Sequence, residues 1–146
     1  MTMQRSEKIT DIIKVLKGGI DFYSDAKDNI DSNDVRTVFQ NMIDEKHKAV
    51  TDLQPFAIEE QGEIETGSDT LVDVRKTYTK VMSAIKSNEE HTYIKHLEEV
   101  EDKVLEEFDD ALEESQPPQC AQVLSQLRER MQICHDEMKA LQEATS

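Results

Sequence analysis

Apolar residues recur along this chain at separations of three and four, and that spacing admits little but helices that each bury one face. The first series is Ile9, Ile12, Ile13, Leu16, Ile20, Tyr23 and Ile30, with Ser6 placed to cap its start. Cap-forming residues then crowd between Asn29 and Asp34, so a tight break is expected, with Ser32 starting the second helix. That helix carries Val35, Val38, Phe39, Met42, Ala49, Val50, Leu53 and Ala57, and Pro55 is expected to kink it or end it. From Gln61 to Gly67 the periodicity is lost, which reads as a loop.

A shorter series, Leu71, Val74, Tyr78, Val81, Met82 and Ile85, resumes the helical spacing and ends near Ser87. Ser87 and Glu90 match a capping box, which would open a long helix through Tyr93, Ile94, Leu97, Val100, Val104, Leu105, Phe108, Ala111 and Leu112. The Ser115-Gln116-Pro117-Pro118 stretch ends it, and prolines are tolerated in the first turn of the next. The last helix runs through Leu124, Leu127, Met131, Cys134, Met138 and Leu141. The expected fold is all-α: an antiparallel four-helix bundle with an extra, shorter helix in the crossover between helices two and three. One domain over residues 1–146 is expected at this length.

Charge and cysteine usage narrow the function classes. A formal net charge of -15 repels a nucleic-acid backbone or an anionic membrane, so neither is an expected partner. Cys120 and Cys134 lie on one helix, separated by about 21 Å at 1.5 Å per residue, and cannot bridge each other within it. A reducing compartment is the simpler reading. Met1 to Lys8 lack the apolar core of a signal peptide, and no later apolar run is long enough to span a bilayer, so the cytoplasm is the expected location.

A helix bundle builds its sites from polar residues that interrupt the apolar stripes. At about 100° per residue, Lys46 falls within the stripe of helix two and Glu45 on its edge, while Asp44 and His47 fall on the opposite side. The acid-x-x-His spacing of Asp44 and His47 imitates a di-metal motif, but that pair faces the wrong way. In helix three Glu101 lies within the stripe and Glu98 near its edge; in helix four the stripe includes His135, with Arg128 at its margin and Gln132 just outside. Helix one presents Gly19, Tyr23 and Lys27 inward. His91 and His96 lie off the helix-three stripe and are expected to be exposed.

The segments Leu97-Glu98-Glu99-Val100-Glu101-Asp102 and Phe108-Asp109-Asp110-Ala111-Leu112, the Pro117-Pro118 break and His135-Asp136 resemble the ferritin-like superfamily. More closely they resemble a small bacterial family of that fold, a domain of unknown function whose members have lost most metal ligands. The resemblance spans nearly the whole chain and implies the fold rather than an activity. Carried over by position, Glu101 and His135 would match metal ligands of the relatives. A di-iron site of that kind takes about six ligands. Here Gly19 and Tyr23 stand where helix one would give a glutamate, Lys46 occupies the helix-two core, and Gln132 replaces an acid in helix four.

Two functional readings follow. The favoured one is a non-catalytic, uncharacterised bundle protein without a cofactor, acting through a protein partner or self-association, with a homodimer as the default symmetry and a stress-related role in view. The alternative is a reduced mono- or dinuclear site for Fe, Mn or Zn at Glu101 and His135, with Glu45, and with Glu98 or Tyr23 as a further candidate ligand. For the same residues a core polar network is preferred to the metal, with Glu101 paired to His135, Lys46 or Arg128. No nucleophile with a neighbouring base and no phosphate cradle is present, which disfavours an enzyme.

Overall fold

Residues 8–67 and 72–145 are described by a computed structural model, with the side chains at 72 and 73 left out. Among them every regular element is an α-helix and there is no strand. The order is α1 (Ile9–Lys27), α2 (Asn33–Gln61), α3 (Val72–Lys86), α4 (Glu90–Glu113) and α5 (Pro118–Thr145). Ser6, expected to cap α1, and Leu71, expected to lead α3, lie outside the described residues.

Local chemistry sets the breaks. Ser32 has extended backbone and its side chain accepts from the Val35 amide at 3.3 Å, satisfying one of the orphan donors of α2. Pro55 does not end α2, which runs on to Gln61. The carbonyl that loses its donor there belongs to Thr51; both Thr51 and Pro55 are exposed, so water can take the place of the missing N–H. α2 stops at Gly62, whose φ of 90° is left-handed and whose amide bonds back to the Ile58 carbonyl at 2.8 Å.

The Ser87–Glu90 capping box does not form. Asn88 takes a left-handed φ of 56°, and the Glu89 and Asn88 amides bond to the carbonyls of Ala84 and Ile85 at 2.9 and 3.0 Å. This is a Schellman closure, so Ser87 to Glu89 are used to finish α3. α4 begins one residue later, capped by Glu89 without a side-chain hydrogen bond.

Packing follows from the stripes. α1 packs on α2 and α4 on α5, each pair joined by a short turn, and the two pairs meet where α2 contacts α5 and α1 contacts α4. The four long helices therefore surround one core, whose centre holds Leu16, Tyr23, Phe39, Met42, Leu97, Phe108, Leu124 and Met131. α3 lies against α4 and α1, and buries Val74, Tyr78, Val81, Ala84 and Ile85 on its own chain's bundle. Among the described residues no helix is long and apolar enough to cross a membrane.

Ser32→Ala removes the side-chain cap of the longest helix and leaves its surroundings alone. It should lower unfolding stability by about 1 kcal/mol, read as a lower urea midpoint with an unchanged slope.

Candidate functional site

Three polar side chains meet in the core. Lys46 of α2 and Glu101 of α4 are 1% and 0% exposed, and the lysine Nζ lies 2.9 Å from Glu101 Oε2. Tyr23 of α1, also 0% exposed, donates its hydroxyl to the other carboxylate oxygen, Oε1, at 2.7 Å. Each occupies a position that helical spacing assigns to an apolar residue: Lys46 four after Met42, Glu101 four after Leu97, Tyr23 three after Ile20. One charge of either sign could not be buried there alone, since unpaired ions are expelled from such surroundings.

α1 and α3 close the pocket around the lysine. A Cβ at Gly19 would stand 3.2 Å from Lys46 Cδ, 3.3 Å from its Cε and 3.3 Å from the Tyr78 hydroxyl. The missing side chain at Gly19 is therefore what lets the lysine stem and the Tyr78 phenol approach α1. Tyr78 stacks on Phe22 with centroids 4.3 Å apart, and Tyr23 meets Phe39 edge-on at 5.0 Å. Lys46 Nζ also lies 6.0 Å from the centroid of the Tyr23 ring.

Burial suppresses ionisation throughout this region. Desolvation, and secondarily the Glu101 carboxylate, hold the Tyr23 and Tyr78 phenols well above the ordinary tyrosine value. Desolvation pushes the Cys134 thiol up to about 12, against a smaller opposing pull from Lys46. Cys134 and Cys120 are both buried and outside any disulfide, and Cys120 donates to Gln116 Oε1 at 3.6 Å, so neither is a poised nucleophile.

The residues picked out as metal ligands are distributed to different partners. Glu101 is engaged by Tyr23 and Lys46. His135 lies at the margin between α4 and α5, its Nε2 2.8 Å from Asp102 and 3.6 Å from Glu98, its Nδ1 3.2 Å from Asp136. Glu45 pairs with Arg130, whose Nε lies 3.0 Å from its carboxylate. Arg128 turns to Asp109 at 2.5 Å. Of the partners expected for Glu101, Lys46 is thus the one that reaches it.

The spacing correctly set Asp44 and His47 on the exposed side of α2. His91 and His96 are half-buried rather than exposed. Three participants escaped the sequence reading as site residues: Tyr78, whose place depends on where α3 docks; Gly19 as the gap that admits the lysine; and Asp102. The one-turn spacing of Glu98 and Asp102 was the available signal for the last.

The centre does not fit a di-metal carboxylate group. Its inward carboxylate already has one oxygen on an ammonium and the other on a phenol, and the lysine places positive charge where a cation would sit.

Comparison with known proteins gives one family: the model described as Domain of unknown function (DUF2383) matches residues 4–114. That span includes Gly19, Tyr23, Lys46, Tyr78 and Glu101 and stops before α5. Neither a curated protein nor a solved structure matches the chain.

Two predictions test the core network. Glu101→Leu strands the Lys46 charge and should cost about 3–5 kcal/mol in denaturant unfolding. The triple variant Lys46→Met, Glu101→Leu, Tyr23→Phe removes every polar group of the network and should regain most of that loss; a triple variant no more stable than the single one would refute the charge-stranding explanation.

The second concerns alkali. In the unfolded chain Cys134 and Tyr93 lose their protons near their ordinary values of 9.0 and 10.0, whereas in the fold desolvation raises each to about 12. Above the lower values the unfolded state binds fewer protons than the native one, so stability must fall as pH rises. The urea midpoint should be distinctly lower at about pH 10.5 than at about pH 8; equal midpoints would contradict the desolvated state of these groups.

Proposed function

We propose that this chain, which belongs to the DUF2383 family by a match over more than half its length, is a non-catalytic helical-bundle protein that acts through a protein partner or by self-association. The single observation that carries this reading is the closed centre: Lys46, Glu101 and Tyr23 satisfy one another at 1% exposure or less. Bundle proteins that do chemistry place open coordination positions or a reactive group at this depth. Here that volume is spent on fixing the helices, and the exterior is left as the working surface.

The antiparallel, ferritin-like arrangement belongs to the same proposal. It is supported by the short turns within each helix pair and by the α2–α5 and α1–α4 contacts, which give the four long helices the neighbours such a bundle requires. A cytoplasmic setting is supported by two buried cysteines that are not joined in a disulfide.

The exterior combines a formal net charge of -15 with exposed Ile58, Ile64 and Ile133. Strong like charge opposes unselective association, so a partner would need basic groups around an apolar contact, and a second copy would need to keep its carboxylates apart. The test is the solution mass of the full chain across a concentration series, together with affinity capture from its own cells. A defined dimer, or one protein retained in fixed proportion, is the expected result. A monomer at every concentration with nothing retained would end the proposal.

A further inference from the structure

Glu98 and Asp102 are one turn apart on α4 and so share a face, to which α5 contributes His135. One ligand atom from each of the three lies within 4.8 Å of the others. We propose that these residues form a binding site for a divalent first-row transition cation at the α4–α5 margin, separate from the closed Lys46–Glu101 centre.

The donor chemistry selects that class of ion. Two carboxylates and one imidazole suit Zn2+, Mn2+ or Fe2+, whereas calcium takes oxygen donors throughout. Atoms bound to one such ion at about 2.0–2.2 Å stand roughly 3–3.5 Å apart. His135 Nε2 is 2.8 Å from Asp102 Oδ1 and 3.6 Å from Glu98 Oε1, so two of the three separations already lie close to that spacing.

The histidine is held for the task. Its Nδ1 lies 3.2 Å from Asp136 Oδ1, and Asp136 also accepts from Gln132 Nε2 at 3.1 Å. With a cation bound, a proton on Nδ1 facing Asp136 would leave the Nε2 lone pair for the ion, the orientation by which a carboxylate beyond the first ligands fixes a metal-binding imidazole. Two carboxylates and one imidazole nitrogen thus face one point, which a proton on Nε2 or a bound cation can occupy.

A cation that binds displaces any proton on Nε2 and releases it to solvent. The side chain of His135 is 12% exposed and that of Glu98 20%, while Asp102 at 56% leaves a route from solvent and room for water on the ion.

The site stands apart from the proposed role in association and is tested separately. The metal-free full chain is titrated with Zn2+ by calorimetry, alongside His135→Gln and Asp102→Asn, with Glu45→Gln as a control on a different ion pair. The expected result is one equivalent of Zn2+ bound by the native chain, weakened by at least about tenfold in each of the first two variants and unchanged in the third.

Zn2+ should also shift the ring resonances of His135 and leave those of His47 in place, while Ca2+ should bind the native chain and His135→Gln alike. No Zn2+ binding up to millimolar concentration, or binding equally tight in His135→Gln and Asp102→Asn, would overturn the proposal. Asp102→Asn is made at a half-exposed side chain, so loss of the fold does not obscure the outcome.

Discussion

A lysine and a carboxylate buried at the same depth constrain everything packed around them. The 2.9 Å contact between Lys46 and Glu101 ties α2 to α4, and the Tyr23 hydroxyl on the second carboxylate oxygen adds α1. Such a pair contributes little net stability over a well-packed apolar substitute, because desolvation offsets most of the attraction. Its effect is on which arrangements survive. A slip of α4 by one turn would leave an ammonium and a carboxylate buried without each other, a loss of about 3–5 kcal/mol against a total stability of about 5–15 kcal/mol. Apolar side chains alone tolerate repacking far more readily.

The network explains two features that would otherwise look unrelated. Gly19 costs α1 some helix propensity, yet any side chain there would press on the Lys46 stem and the Tyr78 hydroxyl. α3, the short helix of the crossover, supplies Tyr78 as a lid over that gap and stacks it on Phe22. The crossover thus links two halves of the bundle and also completes the enclosure of the buried charge. Membership of the DUF2383 family extends over each of these residues but not over α5, whose Leu124, Leu127, Met131 and Cys134 close the other side of the core.

Polar residues away from the centre pair locally across helix boundaries. Arg128 joins α5 to Asp109 of α4, Arg130 joins α5 to Glu45 of α2, and His135 faces Glu98 and Asp102 of α4. Half-exposed pairs of this kind are worth little individually in water. Their consequence for the site is exclusion: Arg128, Glu45 and His135 are all drawn off, and Glu101 is held by Tyr23 and Lys46.

Periodicity by itself determined that the chain is helical, where each stripe lies, and that Lys46, Glu101 and Tyr23 point inward, because these depend only on the 100° advance per residue. It also identified the Ser32 cap and rejected Asp44 with His47, both being questions about a single helix. It misread Ser87 because the same residues can serve the end of one helix or the start of the next, and the left-handed Asn88 decided for the former. Tertiary structure alone decided that Glu101 meets Lys46 rather than His135, that α3 brings Tyr78 to Gly19, and that Asp102 joins Glu98 and His135. Those choices depend on the rotation and depth of one helix against another, which a stripe defines only to within the width of its face.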